Sequence, residues 1–353
     1  MQTTAQNSGG RNESLQALRG IAASAVVVYH AAHYTGIRLH APWLEGIFNG
    51  NFGYYGVLIF FVLSGFLMES AVRRYDARTF LLHRIARLFP TYWAIYLCIF
   101  LAQAIRLHSF ETVPWGALSL LPLGPRNVPL GVEWTMVYEV FFYGLCTLLC
   151  LRRQWFPWVV TIWLAIVVDA VFQHAQYGTA MQPTIWQIPF SLWNVGFICG
   201  ALAGAVNRLR RLPSVEQLWL IGLALILLGF AAGVAYRMFF AAPGIACIVI
   251  ALSRPTTIGA IAKSRSLRVL SLLGEYSYGM YLAHVMSIGI VLQFIPETAD
   301  PLHVYVAMLG VGLAAGIAAG MLDVALYRRL KSWIDSRTRS AAKIAAQPAV
   351  ASN

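Results

Sequence analysis

The stretch LWLIGLALILLGFAA at residues 218–232 decides the fold class, because no residue between Glu216 and Arg237 carries a charged side chain. About 20 apolar helical residues are enough to cross the ~30 Å hydrocarbon core of a bilayer. Of the 353 residues, 59% are hydrophobic and only 11% are charged, whereas a soluble domain carries roughly a quarter charged residues. The composition therefore predicts an integral membrane protein.

Several further windows of similar length and polarity indicate that the membrane segment repeats along the chain. We expect an all-α fold, a polytopic integral membrane bundle of about ten transmembrane helices. The predicted spans are 15–34, 54–72, 80–105, 132–151, 155–173, 184–206, 214–232, 235–253, 269–292 and 302–326. The proline-rich segment 106–131 holds an apolar run too short to span, and we interpret it as an external or re-entrant loop packed on the bundle.

The chain divides into three regions on this basis. Residues 1–13 are polar and predict a disordered cytoplasmic N-terminus. Residues 14–331 form the membrane domain. Residues 332–353 are rich in Ala and Arg and predict a cytoplasmic tail that frays into solvent.

The formal net charge of +12 could indicate a nucleic-acid partner, but its distribution follows the positive-inside rule. With the N-terminus in the cytoplasm, the opposite side carries only Arg38, Arg106, Arg126 and Arg237. The cytoplasmic side carries Arg73, Arg74, Arg78, Arg152, Arg153, Arg208, Arg210, Arg211, Arg254, Lys263, Arg265, Arg268, Arg328, Arg329 and Lys331. This alternation predicts that both termini are cytoplasmic, and we expect no nucleic-acid partner.

The five cysteines all lie inside apolar segments. Cys146 and Cys150 share a helix face, but no histidine or carboxylate cluster joins them, so we expect no metal site. Buried apolar packing explains all five cysteines.

Charged side chains inside a membrane are costly unless they are paired or face a cavity, so each one is a functional candidate. Arg19 and His30 lie on the first span, eleven positions apart. That spacing places them on one helix face, roughly 16 Å apart along the axis. An anion-binding group and a titratable base on one stripe predict a site that runs through the membrane. A snorkelling arginine and a packing histidine remain the alternatives.

Two further spans carry candidates of the same kind. Arg84 and Arg87, spaced i, i+3, can present two guanidinium groups to one phosphate, or they can be ordinary positive-inside charge. Glu139, two turns into the fourth span, could orient a histidine, bind a hydroxyl substrate or pair with an arginine. Asp169 and Asp323 could be members of structural pairs.

The ninth span has an unusually polar face. Ser277, Tyr281 and His284 follow i, i+4, i+7 and lie beside Tyr278. They are either part of the site or interhelical hydrogen-bonding groups.

These residues together resemble the acyltransferase family 3 membrane proteins, which O-acetylate surface polysaccharides such as exopolysaccharides and O-antigens. The resemblance covers about residues 14–330. Its pieces, in family order, are the arginine–ten residues–histidine motif from Arg19 to His30, the glycine-rich second span from Gly56 to Phe66, the paired-arginine motif from His83 to Tyr92, the Trp-Thr-x-x-x-Glu segment from Trp134 to Glu139, and the Ser-Tyr-Gly-x-Tyr-Leu-x-His segment from Ser277 to His284. The Tyr138-Glu139 pair is most similar to the succinoglycan-type branch.

The resemblance implies an acyl-CoA donor, usually acetyl-CoA, and a sugar hydroxyl as acceptor, on a surface polysaccharide or a lipid-linked sugar. It implies a bacterial inner-membrane location. His30 would be the catalytic base, and Glu139 would support catalysis or the acceptor. Arg19, Arg84 and Arg87 would hold the phosphates of the donor or shape its tunnel. Tyr138, Ser277, Tyr278, Tyr281 and His284 would form the acceptor or supporting site.

Several alternatives stay open at this level. A histidine-linked acyl intermediate competes with direct transfer. A proton-coupled transporter or flippase for a lipid-linked glycan is the alternative function, and a non-catalytic assembly component is a third. The sequence leaves the oligomeric state open.

Overall fold

The computed structural model describes residues 12–107, 115–125, 130–173, 180–209, 211–234, 236–254 and 265–345. Predictions for residues 1–11 and for Arg126, Arg210 and Lys263 lie outside the described residues. The described helices are α1 (Glu13–Arg38), α2 (Trp43–Ile47), α3 (Gly50–Arg74), α4 (Ala77–Leu107), α5 (Trp115–Leu118), α6 (Glu133–Leu149), α7 (Phe156–Gln173), α8 (Asn194–Val206), α9 (Val215–Ala231), α10 (Arg237–Ser253), α11 (Arg265–Leu292) and α12 (Pro301–Ala345). Two short 3₁₀ turns cover Cys150–Trp155 and Ile188–Phe190.

The described part of the chain is helical throughout, apart from its connections, and this agrees with the predicted all-α class. Among the described residues, five helical intervals are long and apolar enough to cross a membrane: Glu13–Arg38, Gly50–Arg74, Ala77–Leu101, Glu133–Gln173 and Pro301–Thr338. The shorter helices α8, α9 and α10 are also apolar. Each predicted span coincides at least in part with a helix, but the count of ten spans stays a prediction.

The predicted span 184–206 is not one helix. It starts as a turn at 185–187, forms the 3₁₀ turn Ile188–Phe190, passes through extended backbone at Ser191, and becomes α-helical only at Asn194. Pro189 contributes no N–H to a helical ladder. The Asn194 side-chain amide donates to the carbonyl oxygen of Ile188 at 2.6 Å and so satisfies a backbone acceptor at the break.

The first part of the predicted tail, residues 332–345, is helical, since α12 continues as one helix to Ala345. Ile334 on this extension is buried. The Asp335 carboxylate lies 3.0 Å from Nε2 of His83, which is on α4. These contacts hold the extension against the start of α4.

The described parts of the segment 106–131 lie against the bundle. The Tyr92 hydroxyl donates to the carbonyl oxygen of Ala117 at 2.8 Å. Ala117, Leu120 and Leu130 are fully buried. These contacts agree with the interpretation of a packed loop for the described part of this segment.

The helices α1 and α11 cross with their backbones in contact. A Cβ atom at Gly274 would lie 1.7 Å from the carbonyl oxygen of Gln16, and one at Gly20 would lie 2.2 Å from that of Leu270. Small residues permit such approach between membrane helices. Gly200 and Gly65 do the same for α3 and α8, where a Cβ would lie 1.9 and 2.0 Å from backbone oxygens.

The two ends of the bundle differ in charge. At one end, Arg153 donates to the carbonyl oxygens of Arg73 and Tyr75, and Arg208 pairs with Glu69 at 2.5 Å. We call this the arginine-rich end. At the other end, the last turn of α1 lies beside the end of α11, where Arg38 pairs with Glu297.

We expect Gly274→Ala to lower the thermal midpoint of the protein in detergent, because the added Cβ would force α1 and α11 apart. Overpacking of this kind costs about 1–3 kcal/mol. The matched control is Gly289→Ala on the same helix, where a Cβ meets nothing within 4 Å. Thermal unfolding is measured by tryptophan fluorescence. Equal midpoints for the two variants would contradict the close crossing.

Candidate functional site

A cavity of about 120 Å³ lies inside the bundle between α1, α3, α4, α6 and α11. We call it the inner cavity. Helix α3 supplies most of its apolar wall. The polar lining residues are Arg19, Ser64, Arg84, Arg87, Thr135, Glu139, Tyr143, Ser277, Tyr278 and Tyr281. Four of these helices, α1, α4, α6 and α11, thus bring predicted site residues that are far apart in sequence to one place.

A second pocket opens beside it, lined by Gln16, Gly274, Glu275, Val324, Tyr327 and Arg328 in addition to the three site arginines. We call it the end pocket. Arg19, Arg84 and Arg87 line both spaces. They therefore stand at the boundary between the end pocket and the inner cavity.

Arg87 is held by the protein itself. Its guanidinium forms an ion pair at 2.5 Å with Asp323, whose side chain is fully buried. The Thr91 hydroxyl donates to the other carboxylate oxygen of Asp323 at 2.9 Å. The Tyr278 ring lies 5.1 Å from the guanidinium carbon of Arg87. The expectation that Asp323 belongs to a structural pair is confirmed.

Arg19 and Arg84 differ from Arg87. Neither forms an ion pair with an acidic residue among the described side chains, and the buried Nε of each has no hydrogen-bond partner there. Arg84 instead lies over the rings of Phe80 and Tyr143, 5.6 and 5.5 Å from their centres. Two guanidinium groups with unused donors make this part of the boundary suited to an anion.

Glu139 lies in the same cavity as the arginines. Its carboxylate accepts a hydrogen bond from the Tyr143 hydroxyl, one turn along α6. The hydrogen bonds described for His30 do not include Glu139, so the structure does not support the alternative in which this carboxylate orients that histidine. The i, i+4 spacing of Glu139 and Tyr143 was the sequence signal for their contact, although the tyrosine was not predicted.

His30 and His284 form a pair between α1 and α11. Nε2 of His284 lies 3.0 Å from Nδ1 of His30, and the two ring centres are 5.0 Å apart. His284 is fully buried, whereas His30 is half-buried. The sequence predicted both residues as site candidates, but not that they touch.

Tyr281 stands between the inner cavity and the histidine pair. It lines the cavity, and its ring centre is 5.9 Å from that of His284. Its hydroxyl lies 2.8 Å from the Thr135 hydroxyl. The predicted polar face of α11 therefore leads from the cavity to the histidines.

The other members of that face differ in their bonding. The hydroxyl of Ser277 lines the inner cavity, is buried, and has no hydrogen-bond partner among the described residues. The hydroxyl of Tyr278 donates to the carbonyl oxygen of Leu88 at 2.7 Å. Ser277 is thus available to a ligand, while Tyr278 also holds α11 against α4.

The hydroxyl of Tyr138 is held by described residues outside the inner cavity. Its buried hydroxyl donates to the carbonyl oxygen of Ala180 at 2.6 Å and lies 2.8 Å from the Ser191 hydroxyl. It does not line the inner cavity. The reason is its position on α6, because it is one residue from Glu139 and so faces about 100° away. These contacts are structural, and the place of Tyr138 in the acceptor or supporting site stays a prediction.

The described residues include no group of three or more His, Cys, Asp or Glu side chains that could hold a metal ion. The described site offers two imidazoles, the Glu139 carboxylate, hydroxyls and three guanidinium groups. Such a set can bind an anion at one end and transfer a proton at the other.

Comparison with known proteins identifies relatives along almost the whole chain. The family model described as "Acyltransferase domain" matches residues 12–321. The exopolysaccharide production protein ExoZ of Rhizobium meliloti (strain 1021) is 28% identical over 329 residues, which cover 86% of this chain and 95% of ExoZ. No solved structure matches the chain.

Two further relatives have different names. Nodulation protein 10 of Rhizobium leguminosarum bv. viciae is 25% identical, covering 80% of this chain and 84% of its own length. Acyltransferase MdmB of Streptomyces mycarofaciens is 27% identical, and the match covers 87% of this chain and 89% of MdmB.

The division among the arginines predicts different effects of removing them. Arg87→Leu leaves the buried Asp323 carboxylate unpaired, which typically costs about 3–5 kcal/mol, so we expect a large drop in thermal midpoint. Arg84→Leu, the matched control, removes no ion pair and should change the midpoint little. The double variant Arg87→Leu/Asp323→Leu should recover most of the loss. A single Arg87 variant as stable as the Arg84 variant would show that the ion pair is not structural.

Proposed function

Since the chain belongs to this acyltransferase family, we propose that it moves an acyl group, specifically acetyl, from acyl-CoA to a hydroxyl of a surface polysaccharide or lipid-linked sugar. The observation that supports this proposal most is the inner cavity. Its lining includes Arg19 and Arg84, which form no ion pair with a described acidic residue, and Tyr281, whose ring lies beside His284 of the histidine pair. Anion binding and proton transfer are the two tasks that this reaction needs.

The donor end of the site is the boundary formed by Arg19, Arg84 and Arg87. The phosphates of acetyl-CoA carry several negative charges, and guanidinium groups bind phosphate through paired hydrogen bonds. The unused donors of Arg19 and Arg84 favour them as the phosphate ligands, with Arg87 as a structurally fixed neighbour. A negatively charged donor also compensates two buried cations whose free energy in a membrane interior is otherwise unfavourable.

The acyl end of the donor then extends through the inner cavity toward Tyr281. Arg19 and His30 are roughly 16 Å apart along α1 at 1.5 Å per residue. An extended pantetheine arm is long enough for this distance. The apolar wall from α3 suits such an arm, and the hydroxyl of Ser277 and the carboxylate of Glu139 offer it polar partners.

His30 is the base in this proposal. It takes the proton of the acceptor hydroxyl as the hydroxyl oxygen attacks the thioester carbonyl carbon. The carbon–sulfur bond breaks, the sulfur leaves as the CoA thiolate, and His30 returns the proton to that thiolate. In the competing route His30 itself is acylated first. Glu139 lines the same cavity as the three arginines. We propose that it supports the reaction there, because its negative charge offsets part of their positive charge.

The relatives and the charge pattern support the acceptor class and the location that we propose. ExoZ is named for exopolysaccharide production, and a glycan hydroxyl is the acceptor class that we assign here. We place the protein in a bacterial inner membrane with the arginine-rich end and both termini in the cytoplasm, as the positive-inside rule requires. The donor then enters from the cytoplasmic side.

His30→Ala should abolish acetyl transfer from acetyl-CoA by the purified protein in nanodiscs, because the reaction loses its base. We expect the thermal midpoint to stay near that of the wild type. His303→Ala is the matched control, since His303 is an exposed histidine on α12. Full activity of the His30 variant would overturn the assignment. A protein that neither binds nor cleaves acetyl-CoA would instead favour the transporter alternative.

Arg84→Ala should raise the KM for acetyl-CoA by roughly ten-fold or more, since one charge-assisted phosphate contact contributes about 1.5–3 kcal/mol. The effect on kcat should be smaller. Steady-state kinetics with varied acetyl-CoA measure both, and isothermal titration with coenzyme A checks the affinity directly. The control is Arg254→Ala, whose side chain bonds to a backbone oxygen of Pro213 away from the cavity. An unchanged donor affinity for Arg84→Ala would leave that residue a topological role only.

A further inference from the structure

Both ring nitrogens of His284 have described partners, and these partners fix where its proton lies. Nδ1 of His284 is 2.9 Å from the carbonyl oxygen of Met280. A carbonyl oxygen only accepts hydrogen bonds, so Nδ1 of His284 carries the proton. In the neutral ring Nε2 then has a lone pair and accepts.

The position of His30 follows from this assignment. Its Nδ1 is 3.0 Å from the accepting Nε2 of His284 and 3.1 Å from the carbonyl oxygen of Val26. Both neighbours are acceptors, so Nδ1 of His30 carries a proton that the two share. Nε2 of His30 is then unprotonated, and it has no hydrogen-bond partner among the described residues.

We infer that His284 is a positioning residue that holds His30 in the Nδ1–H tautomer and so presents the lone pair of Nε2 to the acceptor hydroxyl. The catalytic role given to that lone pair rests on the proposed function. The tautomer assignment rests only on the hydrogen bonds of the two histidines. The free nitrogen is the one that takes the acceptor proton, and the bonded nitrogen stays bonded to His284.

In many active sites a second side chain, often a carboxylate, orients the catalytic base. Here the neutral imidazole of His284 orients His30 in the same way. The contact from Val26 comes from the same helix as His30, four residues earlier. His284 lies on α11, across the close crossing of Gly20 and Gly274. His284 therefore restrains the rotation of the His30 ring from a second helix. The Val26 carbonyl, which lies on the same helix as His30, restrains it less.

Nitrogen NMR of the full chain in nanodiscs tests the tautomer directly. The chain has eight histidines, so the His30 signals are assigned by their loss in His30→Gln. With ring-labelled histidine at pH 8, where ordinary imidazoles are neutral, we expect a protonated Nδ1 and an unprotonated Nε2 for His30. A proton on Nε2 of His30 in the wild type would overturn the inference, whatever the activity.

Kinetics test the positioning role. His284→Leu should lower kcat roughly 10- to 100-fold, less than the ~10⁴-fold known for a fully lost orienting group, because the Val26 carbonyl still accepts from Nδ1. The KM for acetyl-CoA should stay within two-fold. His284→Gln, whose amide oxygen can accept from His30, should recover most of the rate. His303→Leu is the matched control and should be as active as the wild type.

The variants also separate this inference from its premise. Loss of activity in His30→Gln together with an unaffected His284→Leu would keep His30 as the base and overturn the role of His284. A folded His284→Gln protein as slow as His284→Leu would do the same. If His30→Gln is fully active while the wild-type spectrum shows the expected tautomer, the assignment of His30 as the base fails and the pairing with His284 stands.

Discussion

The backbone contact between α1 and α11 is the constraint on which the site depends. Gly20 and Gly274 let the two helices approach until a Cβ on either would overlap a backbone oxygen. One of these helices carries Arg19 and His30, and the other carries the polar face that ends in His284. If the helices were separated by even one methyl group, the 3.0 Å contact between the histidines would open. In a membrane, where apolar contact with lipid is as favourable as contact with protein, close approach of small residues is a main source of such specificity.

The three interior arginines differ in whether the protein itself pairs them with an acidic residue. Arg87 is balanced by Asp323 and belongs to the packing of α4 against α12. Arg19 and Arg84 keep unused donors at the boundary between the end pocket and the inner cavity. A protein that maintains unpaired cations inside a membrane does so at a free-energy cost, and the anionic donor that we propose would offset that cost. Substitutions of the three arginines are therefore not equivalent, although the sequence presents them as one basic cluster.

Composition and spacing predicted the helical bundle and several residues that line the inner cavity, because apolar length, buried charge and the spacing of polar residues are visible in sequence. Arg19, Glu139 and Ser277 were found in this way. The contacts between spans could not be predicted, because helical periodicity gives the face of a residue but not the helix it meets. The pairing of His30 with His284 and the turn of Tyr138 toward Ser191 depend on how the helices are arranged. The break before α8 and the extension of α12 to Ala345 depend on local contacts, the carbonyl of Ile188 with Asn194 and His83 with Asp335.

The central claim is that one donor molecule reaches from the arginines at the boundary to the histidine pair inside the bundle. A structure of the protein in nanodiscs with a non-hydrolysable thioether analogue of acetyl-CoA tests it most directly. We expect phosphate oxygens within hydrogen-bond distance of Arg19 and Arg84, and the acyl carbonyl beyond the inner cavity beside Tyr281 and His30. An analogue bound at the opposite end near Arg237, or one whose acyl group points away from His30, would contradict the account.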